Sequence, residues 1–368
     1  MASQAFAAPG LGAWRGAALA LAGLAALAAA CDIPSTPKWD VRFRIPVDTI
    51  RRTPVEDVLP IDVRPTADSS AFEVGLQTTT FSKSLGELCP ACPSSVTAVP
   101  YPGFVGTLSG GINLPSDVIS VTLVGGQITV RITNTFSFDP LRPPNAAGPG
   151  YVVITARSGT VELAKDSIDT RNGPAVALPP NGGLLERTFA VQGGLVSQSI
   201  VVDVKIGSPA GGPISLDRNQ RLSVVAEGTN ARVSEASVRV TERAIEREQI
   251  IVDLSDIDES VRDRVQGGEF LIELANPFNV EGPFDVRIGA PGTTITRTIQ
   301  VPPGPGTDTV RVALTRDELR GIIGQESVVV EAVGTLSSTS APGFAVVRPR
   351  QVFVVVGYFD IVLRVPEE

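Results

Sequence analysis

From residue 39 onward this chain consists of short stretches in which apolar residues fall at every second position, each closed by Gly, Pro, Asn or Ser. Successive side chains of an extended strand point to opposite faces, so a period of two makes one apolar and one polar face, and a sheet buries the first while wetting the second. Ile128-Thr129-Val130-Arg131-Ile132-Thr133 carries the pattern, as does Ile200-Val201-Val202-Asp203-Val204-Lys205-Ile206, and Val352-Phe353-Val354-Val355-Val356 is a continuous apolar strand run. The 36 Gly and 30 Pro supply the turns between such strands. The chain is therefore expected to be all-β.

One of these strands occurs twice. From Gly126 and Gly268 onward the registers coincide: Ile128, Val130 and Ile132 lie over Phe270, Ile272 and Leu274, then Asn134 over Asn276 and Phe136 over Phe278. Further on, Leu222 to Thr229 resembles Val328 to Thr335, each followed by another strand. Two homologous antiparallel sandwiches, Ig-like or fibronectin-like, account for this most simply. In each, the Asn is expected to cap a turn while the Phe two positions on returns to the buried face. The segment Ala275-Asn276-Pro277-Phe278-Asn279-Val280-Glu281-Gly282 resembles the Asn-Pro turn of the water-stress (late-embryogenesis-abundant type 14) β-sandwich family, a likeness of under ten residues.

Two short helices are expected within this β pattern. Ser255-Asp256-Ile257-Asp258-Glu259 opens one, with Ile257, Val261 and Val265 along one face. Its acids read as helix caps, because a calcium loop would need a distal Glu where Gly267 stands. The other runs over 315–323, with Thr315 and Glu318 as a capping box and Gly324 as its stop.

The first thirty residues are of another kind. Arg15 is their only charge, and a run of Ala, Leu and Gly from Ala17 ends at Cys31, followed by the Pro-interrupted polar stretch Asp32-Ile33-Pro34-Ser35-Thr36-Pro37. This is the composition of a secretory signal. Leu27-Ala28-Ala29-Ala30-Cys31 resembles the lipobox of bacterial lipoproteins, which implies cleavage before Cys31, acylation of its thiol and attachment to a membrane of the cell envelope. Ala28-Ala29-Ala30 also satisfies ordinary secretory cleavage. The expected organisation is a signal at 1–30, the lipidated Cys and tether at 31–38, an N-terminal β segment at 39–120, and sandwich repeats at 121–243 and 244–368.

In an oxidising compartment Cys89 and Cys92 form an even pair, and Cys89-Pro90-Ala91-Cys92 is expected to close a local disulfide. Haem attachment would need His where Pro93 stands, and with no His and with Cys31 lipidated, zinc would have to take carboxylates as its two further ligands, which is unusual. The lack of His also removes the commonest general base and the Ser-His-Asp arrangement. Carboxylate-only glycoside hydrolysis stays open. After residue 30 the chain holds 30 basic and 39 acidic residues, a balance of −9 without a basic stripe, which disfavours nucleic acid.

Repeat one departs from repeat two by an insertion: fifteen positions separate Phe136 from Tyr151, six separate Phe278 from Phe284. Loops at sandwich tips commonly carry binding, so Arg142, Asn145 and Tyr151 are candidate contacts. The two chain ends echo one another, Trp39-Asp40-Val41-Arg42-Phe43-Arg44-Ile45-Pro46 against Phe359-Asp360-Ile361-Val362-Leu363-Arg364-Val365-Pro366, as strands of one sheet would. The expected protein is a lipid-anchored, non-catalytic binding or structural module without cofactor or metal. Its expected partners are the membrane, through the lipid, and an envelope protein or glycan. The alternatives are a carboxylate-dependent glycan-active enzyme and a lipid-carrying envelope protein.

Overall fold

The structure, a computed structural model, describes residues 38–173, 176–290, 293–339 and 341–366. Cys31 and the signal lie outside them. The chain opens with β1 (Lys38–Pro54), β2 (Val63–Pro65), β3 (Phe72–Val74), β4 (Thr79–Ser84), the one-turn helix α1 (Leu85–Leu88) and β5 (Ser95–Tyr101). Next come β6 (Phe104–Asn113), β7 (Val118–Asn134), β8 (Tyr151–Ser158), β9 (Val161–Asp169), β10 (Gly183–Val191), β11 (Gly194–Ser197), β12 (Ser199–Ser208), β13 (Gly211–Leu216) and β14 (Arg221–Val238). The last third holds β15 (Arg243–Asp253), α2 (Glu259–Arg264), β16 (Val265–Asn276), β17 (Val280–Ala290), β18 (Thr293–Val301), β19 (Gly306–Leu314), α3 (Arg316–Ile323), β20 (Ser327–Ser338), β21 (Ala345–Val347) and β22 (Val352–Pro366).

These strands make two antiparallel sandwiches of the same plan. In the first, a sheet in the order β10-β7-β14 packs on a sheet in the order β6-β12-β8-β9; in the second, β19-β16-β22 packs on β18-β17-β20-β15. The doubled strand is β7 in one and β16 in the other, central in its sheet, and its inward residues Ile128, Val130, Ile132, Phe270, Ile272 and Leu274 are all buried. Each sandwich also takes an extra strand beside its last one: β4 pairs with β14, and β1 pairs with β22.

Four details differ from the sequence reading. The first and last strands of each sandwich have exchanged sheets relative to the immunoglobulin arrangement, since β6 joins β12 and β14 joins β7. Alternation sets which face is buried but leaves open which strand lies alongside. For the same reason, the likeness of 222–229 to 328–335 is not an equivalence: the first lies in β14 against β7, the second in β20 between β15 and β17, whose counterpart is β12. The segment 39–120 is not a unit of its own. Its strand β1 completes the second sandwich, β3 and β4 lie on β14, and β6 is the first strand of sandwich one, which thus begins at Phe104 rather than at 121.

Among the described residues the α-helices are three rather than two. α3 has the expected Thr315–Glu318 capping box and ends at Gly324, and the Thr315 backbone N–H holds the Glu318 carboxyl below the usual range. α2 starts later than expected, capped by Asp258 instead of Ser255, because Leu254 and Ile257 first close a turn. α1 escaped notice at one turn in length, although Ser84 and Glu87 form a second capping box.

The strand directions set the order of the sandwiches in space. β1 and β22 run antiparallel from Lys38 opposite Pro366 to Pro54 opposite Val352, a ribbon of roughly 50 Å at about 3.3 Å per residue. At the Pro54 end the second sandwich meets the first. There Val55 N–H donates to the Gln351 carbonyl, β21 pairs with the last residues of β14, Arg348 bridges to Glu235, and Arg350 donates to the carbonyls of Asp68 and Ser69. One continuous apolar core runs through both. The described chain thus starts, at Lys38, at the far end of the C-terminal sandwich, and the N-terminal sandwich stands beyond it.

Candidate functional site

β7 leaves this junction at Val118 and ends at Asn134, so the Asn-x-Phe turn of sandwich one lies at the free tip, while that of sandwich two faces the junction, where Gln351 reaches the Pro277 carbonyl. The two turns share one construction. Asn134 is fully buried; its Oδ1 accepts from Phe136 N–H at 2.9 Å, and its Nδ2 donates to the carbonyls of Phe138, Leu178 and Pro179 at 2.9–3.0 Å. Asn276 repeats this, with Oδ1 accepting from Phe278 N–H at 3.0 Å and Nδ2 donating to Val280 and Pro302 carbonyls at 2.9 and 3.2 Å. Pro179 and Pro302 belong to a further match, Leu178-Pro179-Pro180-Asn181-Gly182-Gly183 against Val301-Pro302-Pro303-Gly304-Pro305-Gly306, whose last Gly pairs with the Asn in each sandwich. Sequence reasoning missed it because the Pro lies 45 residues after Asn134 but 26 after Asn276.

At the tip, sandwich one is elaborated beyond its twin. β5 and β13 form a ribbon of their own, and the inserted residues 140–150 lie against it, with Gly212 N–H donating to Pro144 O and Ala147 N–H to Ala210 O. A Cβ at Gly211 would approach the Pro144 carbonyl oxygen to 2.8 Å, so this contact depends on glycine. Tyr101 ties three segments together: its ring meets Phe138 edge-on at 4.9 Å, and its buried hydroxyl donates to Ser208 Oγ, which in turn donates to the Pro140 carbonyl. Burial pushes the Tyr101 phenol well above its ordinary pKa.

The candidate contacts divide by role. The Arg142 guanidinium donates to the carbonyls of Val176, Thr170 and Gly173 at 2.9, 3.1 and 2.5 Å, which makes it a strut that fixes the insertion. Asn145 is exposed in left-handed backbone, with φ 51°. Tyr151 is half-buried at an open cleft of about 280 Å³ lined also by Pro149, Asp169 and Arg171, the last two ion-paired at 2.6 Å. Val96, on the β5 ribbon, is almost wholly exposed. Arg142, Asn145 and Tyr151 therefore share one tip but present no single face.

Cys89 and Cys92 form a disulfide with Cα atoms 5.3 Å apart, and both are buried. Cys89 caps the C-terminal end of α1, away from the N-terminal end where a helix lowers a thiol pKa. So small a loop removes little chain entropy, so reduction should cost at most about 2 kcal/mol. Urea unfolding with and without reductant checks this, and a larger loss would give the disulfide a role beyond bracing the loop.

Elsewhere, Glu269 and Asp360 line an open concavity of about 320 Å³ with Arg42 and Gly268. They are direct cross-strand partners, so their side chains lie side by side instead of facing each other across a groove. Each has its own base, Arg311 at 2.9 Å from Glu269 and Arg42 at 3.8 Å from Asp360. Among the described residues no group of His, Cys, Asp and Glu could hold a metal ion, and no helix is long and apolar enough to cross a membrane.

No family model and no curated protein matches this chain. Among solved structures, a "putative secreted protein" from Parabacteroides distasonis ATCC 8503 is similar over 89% of this chain and 100% of its own, at 12% identity and a TM-score of 0.27. The N-terminal CBM22-1-CBM22-2 tandem domain from Paenibacillus barcinonensis Xyn10C covers 80% of this chain and 99% of its own, at 7% identity and a TM-score of 0.15. Similarities this low carry no argument about function.

Proposed function

We propose that this protein is a lipid-anchored module of the bacterial cell envelope that binds, without catalysis, an envelope protein or glycan at the tip of its first sandwich. One observation carries the reading: three elements that sandwich one has and sandwich two lacks are gathered at the end opposite the tether. They are the 140–150 insertion, the β5–β13 ribbon and the disulfide loop. Binding loops on a rigid sandwich are placed in this way. Against the reading as a glycan-active enzyme stand carboxylates held in ion pairs, Arg131 with Glu186 and Glu227 and Arg157 with Asp203 across neighbouring strands, and Arg187 with Asp166 between the two sheets. Glycoside hydrolysis needs two that flank the scissile bond.

The anchor is tested by the mass of the protein isolated from membranes. Loss of residues 1–30 together with a diacylglycerol adduct on Cys31 is expected, and Cys31→Ala should move the protein from the membrane to the soluble fraction. Cleavage without an adduct would show plain secretion. The tip is tested by shortening 140–150 to the length of the matching link in sandwich two. Photo-crosslinks formed in cells from a probe at Val96, exposed on the neighbouring β5 ribbon, should disappear while the protein remains folded and membrane-bound; crosslinks that persist unchanged would place binding elsewhere.

A further inference from the structure

At its tether end the β1–β22 ribbon leaves the core behind. Trp39, Val41, Phe43 and Ile45 share one face of β1, and their exposure rises toward the tether: 8% at Ile45, 47% at Phe43 and Val41, 61% at Trp39. Their cross-strand partners are Phe359, Ile361, Leu363 and Val365. The opposite face is polar, with Asp40 paired to Arg364 at 3.1 Å and Arg42 to Asp360 at 3.8 Å, while Arg44 stacks over Tyr358. The ribbon end is thus amphipathic; on its apolar side Phe359 and Ile361 of β22 are buried, while Trp39, Val41 and Phe43 of β1 stay exposed.

The geometry points to the lipid bilayer as the cover: Trp39, Val41 and Phe43 rest in its interfacial layer and fix the angle at which the body stands. This rests on the reading that Cys31 anchors the chain. Trp39 lies eight positions after Cys31, so the apolar face is held within about 29 Å of the anchor even when the tether is fully extended. An indole with an apolar body and one N–H suits the membrane–water interface. An acyl chain and an apolar protein contact reinforce each other as two membrane signals. A second copy fits less well, because three partly exposed side chains offer far less than the ~800 Å² per partner of a stable interface. The balance of −9 after residue 30 makes the contact apolar, not electrostatic.

Trp14 and Trp39 are the two tryptophans of the chain, so Trp39 is the sole one in a chain that begins at Cys31, which still contains every described element. With Cys89 and Cys92 joined, Cys31 is its single free thiol and can be coupled to a maleimide lipid in vesicles of phosphatidylethanolamine and phosphatidylglycerol. This supplies the tether whether or not cells acylate Cys31, so failure of the ribbon and failure of the anchor are read separately. On coupling, Trp39 emission should shift to the blue and lose most of its intensity to lipids brominated near the carbonyl, at low and high salt alike. The double variant Val41→Ser, Phe43→Ser, both on the surface, should keep its circular dichroism while Trp39 returns to the unquenched emission of the uncoupled protein. Unshifted, unquenched Trp39 on the vesicles would overturn the proposal, as would quenching that the double variant leaves intact. If the uncoupled chain sediments as a dimer that the double variant dissociates, the face belongs to a second copy instead.

Discussion

Replacing Asn134 by Leu should destabilise the first sandwich by about 3–5 kcal/mol, and Asn276→Leu the second by slightly less, since buried groups left without partners cost about 1–3 kcal/mol each. Leu keeps the branched heavy-atom skeleton of Asn but is larger, so the loss combines unmade hydrogen bonds with some overpacking. In the first variant the carbonyls of Phe138, Leu178 and Pro179 and the Phe136 N–H lose their partner inside the core; in the second, the Val280 and Pro302 carbonyls and the Phe278 N–H do. Hydrogen exchange followed peptide by peptide separates the sandwiches, with protection lost in β7, β10 and β14 for Asn134→Leu and in β16, β19 and β22 for Asn276→Leu. A change below about 1 kcal/mol in either would mean that the amide is not the fastener of its turn.

Val130→Asp should unfold the first sandwich outright. Val130 is fully buried on β7 between Arg187 of β10 and Ala226 of β14; Arg187 faces the same way but is already paired with Asp166 at 2.9 Å, so a carboxylate at 130 has neither water nor a free base. More than about 4 kcal/mol is expected. Thr129→Asp, one residue earlier on the outward face, should stay within about 1 kcal/mol, because adjacent positions of a strand face opposite ways. Comparable effects at the two positions would mean that the register is wrong.

The sequence made the buried faces legible and left the pairings hidden. The Gly-Gly, Asn and Phe frame was readable because each residue answers a local demand. The second glycine of each pair, Gly126 and Gly268, lies where the neighbouring strand bulges close, a Cβ on Gly268 meeting the Asp360 carbonyl oxygen, and the Asn closes a turn through its own neighbours. The end-to-end echo likewise became the β1–β22 pair, in which Asp40 stands opposite Arg364. The false match of 222–229 with 328–335 arose from a property that both segments share as central strands, alternation with small residues, which says nothing about neighbours. The destination of 39–120 was hidden for a related reason: β1 pairs with residues about 300 positions away, and no local pattern encodes so distant a partner. At the tip, the insertion was visible from its length, whereas the strut role of Arg142 depends on carbonyls 28–34 residues away.

The central claim is that the anchored chain folds back so that its C-terminal sandwich is next to the membrane and its N-terminal sandwich holds the elaborated tip away from it. Energy transfer to headgroup-labelled acceptors in vesicles measures this directly. The donor sits on a single introduced cysteine, either Ala313→Cys at the tether end of sandwich two or Ala146→Cys on the tip insertion, both at exposed positions. With the protein held by Cys31, strong transfer from 313 and little or none from 146 is the predicted result; equal transfer from both, or stronger transfer from 146, would contradict it.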